Sequence, residues 1–231
     1  MIDWLDDLSF PRFPDTAKAL TEPNGLLAAG GMVSPLWIDQ AYRHGVFPWN
    51  DPDEVRLWWS PAPRAVIRPS DFHIPRSVAK ACRRGEFRVT SNLAFEQVMS
   101  ACAAPRSYAD GTWISDDMVD TYTRLHYAGR AVSVECWLED GTLCGGFYGL
   151  TIGSAFFGES MFSRVSDASK VAFAAAAPAL FASGVQMIDC QMKTDHLARF
   201  GLVELERPSF EQLLSQALFQ PLQLSLPGCL L

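Results

Sequence analysis

The stretch AVSVECWLEDGTLCGGFYGLTIGSAFFGESMF, Ala131–Phe162, decides how the rest of the chain is arranged. Apolar runs rich in β-branched and aromatic residues, AVSVECWL, LCGGFYGL and SAFFGESMF, are separated by turn residues. Asp140-Gly141 is a strong hairpin signal, so the stretch predicts an antiparallel meander. Downstream, a long helix is predicted from Ser166 or Asp167 to Ser183, then QMIDCQ as a strand, DHLARFG as a short helix stopped by Gly201, LVEL as a strand, and PSFEQLLSQAL as a last helix. Upstream lie helices over Asp116–Tyr127 (with Ser115 as cap), Phe95–Cys102 and IPRSVAKACRRG. The expected fold is α/β of the α+β kind, with a mixed, largely antiparallel sheet. A first block ends near Ala65 and holds the helix SPLWIDQAYRHG, in which Ser34 is the cap and Pro35 the first helical residue. The expected division is a small N-terminal α/β domain, 1–65, and a larger domain, 66–231.

At 231 residues, 48% hydrophobic and 19% charged, the chain reads as an ordinary soluble globular protein. Its start, MIDWLDDLSF, is acidic and reads as neither a signal nor a transit peptide, and the apolar run VAFAAAAPALFA is too short to span a bilayer. No membrane role is expected. Six cysteines with no C-x-x-C pair suit reduced thiols in the cytoplasm and no zinc or other metal. The formal net charge of -7 argues against non-specific wrapping of nucleic acid. Between Arg64 and Arg88, however, seven cations face two acids, a local balance of +5. Arg76, Lys80, Arg83 and Arg84 fall on one helix face, which is either a solvated surface or a phosphate-binding one.

No nucleotide-triphosphate loop, dinucleotide fingerprint or serine-hydrolase elbow is present. Three residues carry candidate chemistry. Asp189 and Gln191, two apart in a predicted strand, would face one side, where they are either a structural pair or a carboxylate and an amide acting on one bound group. Alternation would turn Cys190 away from them, as a buried thiol. Glu159, in the apolar run FFGESMF, needs partners or it loses its charge. Gly145, Gly146, Gly149, Gly153 and Gly158 would let a ligand approach the sheet. None of the four histidines suggests a catalytic role.

The segment Gly45–Arg64, GVFPWNDPDEVRLWWSPAPR, packs three tryptophans and four prolines into a stiff frame. Its rings read either as core or as a stacking platform for a planar ligand such as a nucleobase. Taken together, PNGLLAAGG, FPWNDPDEVRLWWSPAPRAVI, GTWI, GGFYG, FFGESMFSRVSDASK, IDCQ and DHLARFG resemble, in that order and along nearly the whole chain, the leucyl/phenylalanyl-tRNA-protein transferases.

The resemblance implies a GNAT-like aminoacyl-transferase domain behind the N-terminal one, and no cofactor. It implies transfer of leucine or phenylalanine, with methionine as a further donor, from aminoacyl-tRNA to proteins that begin with arginine or lysine. The product would be marked for N-end-rule degradation. Trp49 and Trp113 would flank the terminal adenosine, with Trp58 and Trp59 either part of the platform or equally the core that holds it. Phe147 and Phe156 would line the pocket for the transferred side chain, and Glu159 would position the aminoacyl group. Asp189 would accept or orient the amine proton, and Gln191 would hold the amine or the carbonyl. Arg76, Lys80, Arg83 and Arg84 would meet the acceptor stem. The expected state is a monomer. Asn50 stands where the family commonly has an aromatic, and Arg199 where it has a small or polar residue. Two rivals remain: an acetyl-CoA-dependent N-acetyltransferase, opposed by the lack of a pyrophosphate-cradling Q/R-x-x-G-x-G/A loop, and a non-catalytic binder of tRNA or basic N-termini.

Overall fold

The computed structural model describes residues 2–52, 54–104 and 112–231, so Asp53 and Gly111 of the quoted motifs lie outside the described residues. The N-terminal segment forms a four-stranded sheet of β1 (Asp3–Leu5), β2 (Leu26–Gly30), β3 (Phe47–Pro48) and β4 (Leu57–Trp59) in the order β1-β2-β4-β3. The helix α1 (Pro35–Arg43) packs on it, and Ser34 caps that helix through the N–H of Trp37. Their shared core is built on Leu27, Trp37, Ala41 and Trp58. Trp58 is buried, donates from its indole N–H to the Gly30 carbonyl at 2.9 Å, and stacks on Trp37 with centroids 5.8 Å apart.

A seven-stranded sheet follows. Its strands are β5 (Arg64–Ile67), β6 (Arg88–Ser91), β7 (Ala131–Trp137), β8 (Leu143–Ile152), β9 (Ala155–Ser163), β10 (Met187–Gln191) and β11 (Val203–Leu205), in the order β11-β5-β10-β9-β8-β7-β6. The expected meander is β7-β8-β9, antiparallel throughout. The β9–β10 pair is parallel, with Ile188 opposite Phe156 and Asp189 opposite Phe157. A parallel pair needs a crossover, and α5 (Ala168–Ala182) supplies it. The sheet is therefore mixed and largely antiparallel, as expected.

Both faces are covered, which is why β8 is buried along all ten residues with no polar alternation. Residues of α1, α3 (Phe95–Ala103), α4 (Asp116–Tyr127) and α7 (Arg207–Phe219) share a core with Tyr148, Leu150 and Phe157. Residues of α2 (Arg76–Arg83) and α5 share another with Phe147 and Phe156. The glycines of β8 mostly admit the protein itself, not a ligand. A Cβ on Gly149 would lie 2.3 Å from the Phe156 ring, and one on Gly145 2.6 Å from the Ala168 Cβ in the first turn of α5. The tail also has a place. Leu230 and Leu231 exchange backbone hydrogen bonds with Val89, covering the outer edge of β6.

Candidate active site

The pairing of β9 with β10 ends at Phe157 and Asp189, although β9 continues to Ser163. Where the two strands part, a cavity of about 780 Å³ opens, bounded by Gly158–Arg164 on one side and by Cys190–Met192 on the other. That volume lies within the roughly 300–1,000 Å³ of ordinary small-molecule sites. Trp49, Trp113, Phe147, Phe156, Glu159 and Gln191 all line it.

Asp189 does not. The register of β10 against β5 shifts between Asp189 and Gln191, and Gln191 adopts a left-handed backbone, φ +57°. Cys190 and Gln191 both border the cavity as a result. The expectation that Asp189 and Gln191 share a face, with Cys190 turned away, assumed regular alternation, and the bulge removes it. Burial nonetheless pushes the Cys190 thiol well above its ordinary range, which disfavours the thiolate.

Asp189 and Arg64 are both fully buried and form a bidentate pair, Nε to Oδ1 at 2.9 Å and Nη2 to Oδ2 at 2.8 Å. Oδ1 also accepts the Gln191 backbone N–H at 2.9 Å. A non-glycine residue in the left-handed region costs about 1–3 kcal/mol, and this hydrogen bond offsets part of that cost. That carboxylate faces Arg64 and the Gln191 backbone and does not line the cavity. Its visible work is to hold Gln191.

Glu159 has the partners its environment demands. Tyr42 donates to its Oε2 at 2.8 Å, and the Tyr122 hydroxyl lies 3.2 Å from that of Tyr42. Oε1 is buried and has no hydrogen-bond partner among the described residues. Burial pushes the carboxyl up to about 8, against the lowering effect of the Tyr42 and Tyr122 hydroxyls. The protonated form therefore dominates at neutral pH, and a neutral carboxyl can donate from an oxygen where a carboxylate only accepts.

The tryptophans divide as follows. Trp49 is 41% exposed on the cavity wall, Trp59 packs edge-on against it at 5.6 Å and donates to its carbonyl, and Trp58 is core. Asn50 turns inward and accepts from Arg56, so it extends no platform. Phe147 contacts Phe156 and Phe173 edge-on, at 6.5 and 5.9 Å, and the three rings make the apolar wall. His196 also borders the cavity, with a buried Nε2 that has no hydrogen-bond partner among the described residues and a pKa lowered by burial and by Lys170 and Arg199.

Residues 66–215 match the family described as leucyl/phenylalanyl-tRNA protein transferase, and residues 31–62 match the N-terminal domain of the same family. The chain belongs to the leucyl/phenylalanyl-tRNA protein transferase family. As a member it is an aminoacyltransferase. A leucyl/phenylalanyl-tRNA–protein transferase from Cellvibrio japonicus is 51% identical over 96% of this chain and 93% of that protein. One from Stutzerimonas stutzeri is 52% identical over 96% of this chain and 97% of that protein. Among solved structures, a GCN5-related N-acetyltransferase from Kribbella flavida is similar at 11% identity and a TM-score of 0.40, over 71% of this chain and 58% of that chain.

For this transferase, sequence reasoning missed Tyr42, Tyr122, His196 and the role of Arg64. The rule that flagged Glu159, a charge inside an apolar run, also applies to Arg64 in RAVI. Arg64, counted in the local balance of +5, adds nothing to the surface charge, because it pairs with the Asp189 carboxylate in the interior. Arg68 and Arg84 are likewise paired, with Asp71 and Glu86. On α2 the four expected cations are all exposed while Val78 and Ala81 are buried, and Arg76, Lys80 and Arg83 make no ion pair among the described residues.

Proposed function

We propose that this transferase moves leucine or phenylalanine, with methionine as a further donor, from the 3' end of aminoacyl-tRNA to the α-amine of proteins that begin with arginine or lysine, marking them for N-end-rule degradation. It would act as a cytoplasmic monomer. Residues 1–65 would form the N-terminal domain and 66–231 the GNAT-like transferase domain. The observation that carries the reading is one cavity bounded by two tryptophans, an apolar wall of three phenylalanines and the polar pair Glu159 and Gln191. Those three surfaces suit a nucleobase, an apolar side chain and the reacting ester.

The chemistry asks little more of the protein. An aminoacyl ester is already activated, so attack by an amine requires no ATP and no covalent intermediate on the enzyme. The neutral amine adds to the ester carbonyl, the amine loses a proton, and the ribose hydroxyl leaves. A free α-amine, with a pKa of about 7.7–8.0, is partly neutral near pH 7, so holding it against the carbonyl supplies much of the catalysis. In this reading the Gln191 amide orients the amine or the carbonyl. Neutral Glu159 donates from Oε1 to an oxygen of the aminoacyl-ribose end. Among the described residues no helix is long and apolar enough to cross a membrane.

The test is transfer of labelled phenylalanine or leucine from charged tRNA to peptides differing only in a first residue of Arg, Lys, Ala or Asp. Label is expected on the Arg and Lys peptides without ATP. Acetylation of the peptides when acetyl-CoA is supplied instead, or tRNA binding without transfer, would count for the rivals.

The exposed cations of α2 suit the acceptor stem, read through its phosphates. Replacing Arg83 and Arg84 together by Ala is expected to weaken tRNA binding and to reduce the slope of log affinity against log salt by about 1–2. An unchanged slope would remove α2 from the interface.

A further inference from the structure

We propose that Arg64 is a positioning residue that sets the seat of the Trp49 platform against the reaction centre at Gln191. The inference rests on the proposed transfer reaction. The guanidinium is engaged on every side. Its Nε and Nη2 hold the Asp189 carboxylate, its Nη1 donates to the Gly45 carbonyl at 3.1 Å, and its two faces lie against the rings of Phe47 at 4.9 Å and Phe210 at 4.7 Å.

Those contacts run in two directions. Gly45 and Phe47 lead directly into Pro48 and Trp49, which form one wall of the cavity. Asp189 leads through Oδ1 to the backbone N–H of Gln191, which adopts a left-handed conformation and also lines the cavity. One planar group therefore joins the strand that carries the nucleobase platform to the bulge that carries the amide. Lysine cannot replace it, because an ammonium lacks the fork that grips both carboxylate oxygens and the flat faces that two rings enclose. Hydrophobic residues of similar volume commonly replace such a pair without loss of stability, so stability alone does not call for the buried charge.

That last fact separates positioning from mere stability. Arg64→Lys and the double variant Arg64→Met/Asp189→Leu are compared with the parent by thermal melting, by tRNA affinity, and by kcat and KM for aminoacyl-tRNA. Arg64→Lys is expected to lower kcat about 10²-fold, the usual consequence of an ångström-scale misplacement, with KM changed by less than about threefold. The double variant is expected to melt near the parent, with tRNA affinity retained, and to remain about 10²-fold slow. Parent-like kcat in either variant, once its melt shows it folded, overturns the proposal. So does a loss confined to KM. Transfer by the parent, measured alongside, tells failure of this inference from failure of the reaction on which it rests.

Discussion

Asp189→Asn is expected to lower the melting temperature by roughly 6–20 °C and to cut transfer, while the pH profile of the residual activity stays where the parent has it. The first effect follows from burial. Asp189 and Arg64 have no exposed side-chain surface, and the substitution leaves a guanidinium in the interior with no anion beside it. Breaking one half of such a pair costs about 3–5 kcal/mol, and each kcal/mol moves the midpoint of a protein this size by roughly 2–4 °C. The second effect comes through Gln191. An amide at position 189 can accept two hydrogen bonds at most through its oxygen, not the three that the carboxylate accepts from Arg64 and the Gln191 backbone, and its N–H₂ meets another donor. The bulge then loosens and the amide leaves its seat. The unchanged pH profile is the distinguishing outcome, because Asp189 borders no part of the cavity where the amine would shed its proton. Differential scanning calorimetry and a kcat–pH series on the variant check both halves. A variant that melts with the parent, or whose pH profile loses one limb, would return Asp189 to the role of proton acceptor.

Glu159→Ala is expected to lose about 10²-fold or more in kcat, the usual cost of deleting one preorganised hydrogen-bond donor. Glu159→Gln is expected to keep most of that rate, because its amide N–H₂ donates where the protonated carboxyl did. The pH dependence follows from a carboxyl pushed up to about 8. In the parent, the rate rises as the acceptor amine deprotonates near its free pKa of about 7.7–8.0 and falls as Glu159 ionises, giving a narrow bell. In Glu159→Gln the falling limb disappears and the rate reaches a plateau at alkaline pH. Stability moves with the same group. Between the ordinary carboxyl value and about 8 the native state holds a proton that the unfolded chain has released, so the contribution of Glu159 to stability falls as pH rises through that window and levels off above it. Glu159→Gln flattens this part of the stability curve. A parent rate that keeps rising past pH 9, or an inactive Glu159→Gln, would show that the ionised carboxylate is the working form.

Much of the molecule is legible in local patterns. The hairpin signal at Asp140-Gly141 correctly placed β7, β8 and β9, and Ser34-Pro35 placed the start of α1. The helical spacing of Arg76, Lys80 and Arg83 put them on an exposed face opposite Val78. Trp49, Trp113, Phe147 and Phe156, which line the cavity, came from the family motifs, and Glu159 from its charge inside an apolar run. Periodicity of 2.0 or 3.6 residues and the chemistry of turns and caps are set by near neighbours, so they can be read without knowing what lies across the fold.

The rest depended on pairs that only folding brings together. Arg64 and Asp189 stand 125 positions apart, and nothing near either residue announces the other. Tyr42 reaches Glu159 across 117 positions, and this contact together with burial sets the protonation of the carboxyl. The face on which Gln191 lies was misread for the same reason. A strand's alternation is a local rule, and a bulge overrides it when a distant partner, here β5 with Arg64 at its head, fixes the carboxylate that holds the bent backbone. By itself, the sequence determined the family, the order of the elements and the identity of most side chains around the cavity. The tertiary structure decided which of them face it and in what charge state, because orientation at a bulge and ionisation in the interior both depend on long-range contacts and on exclusion of water.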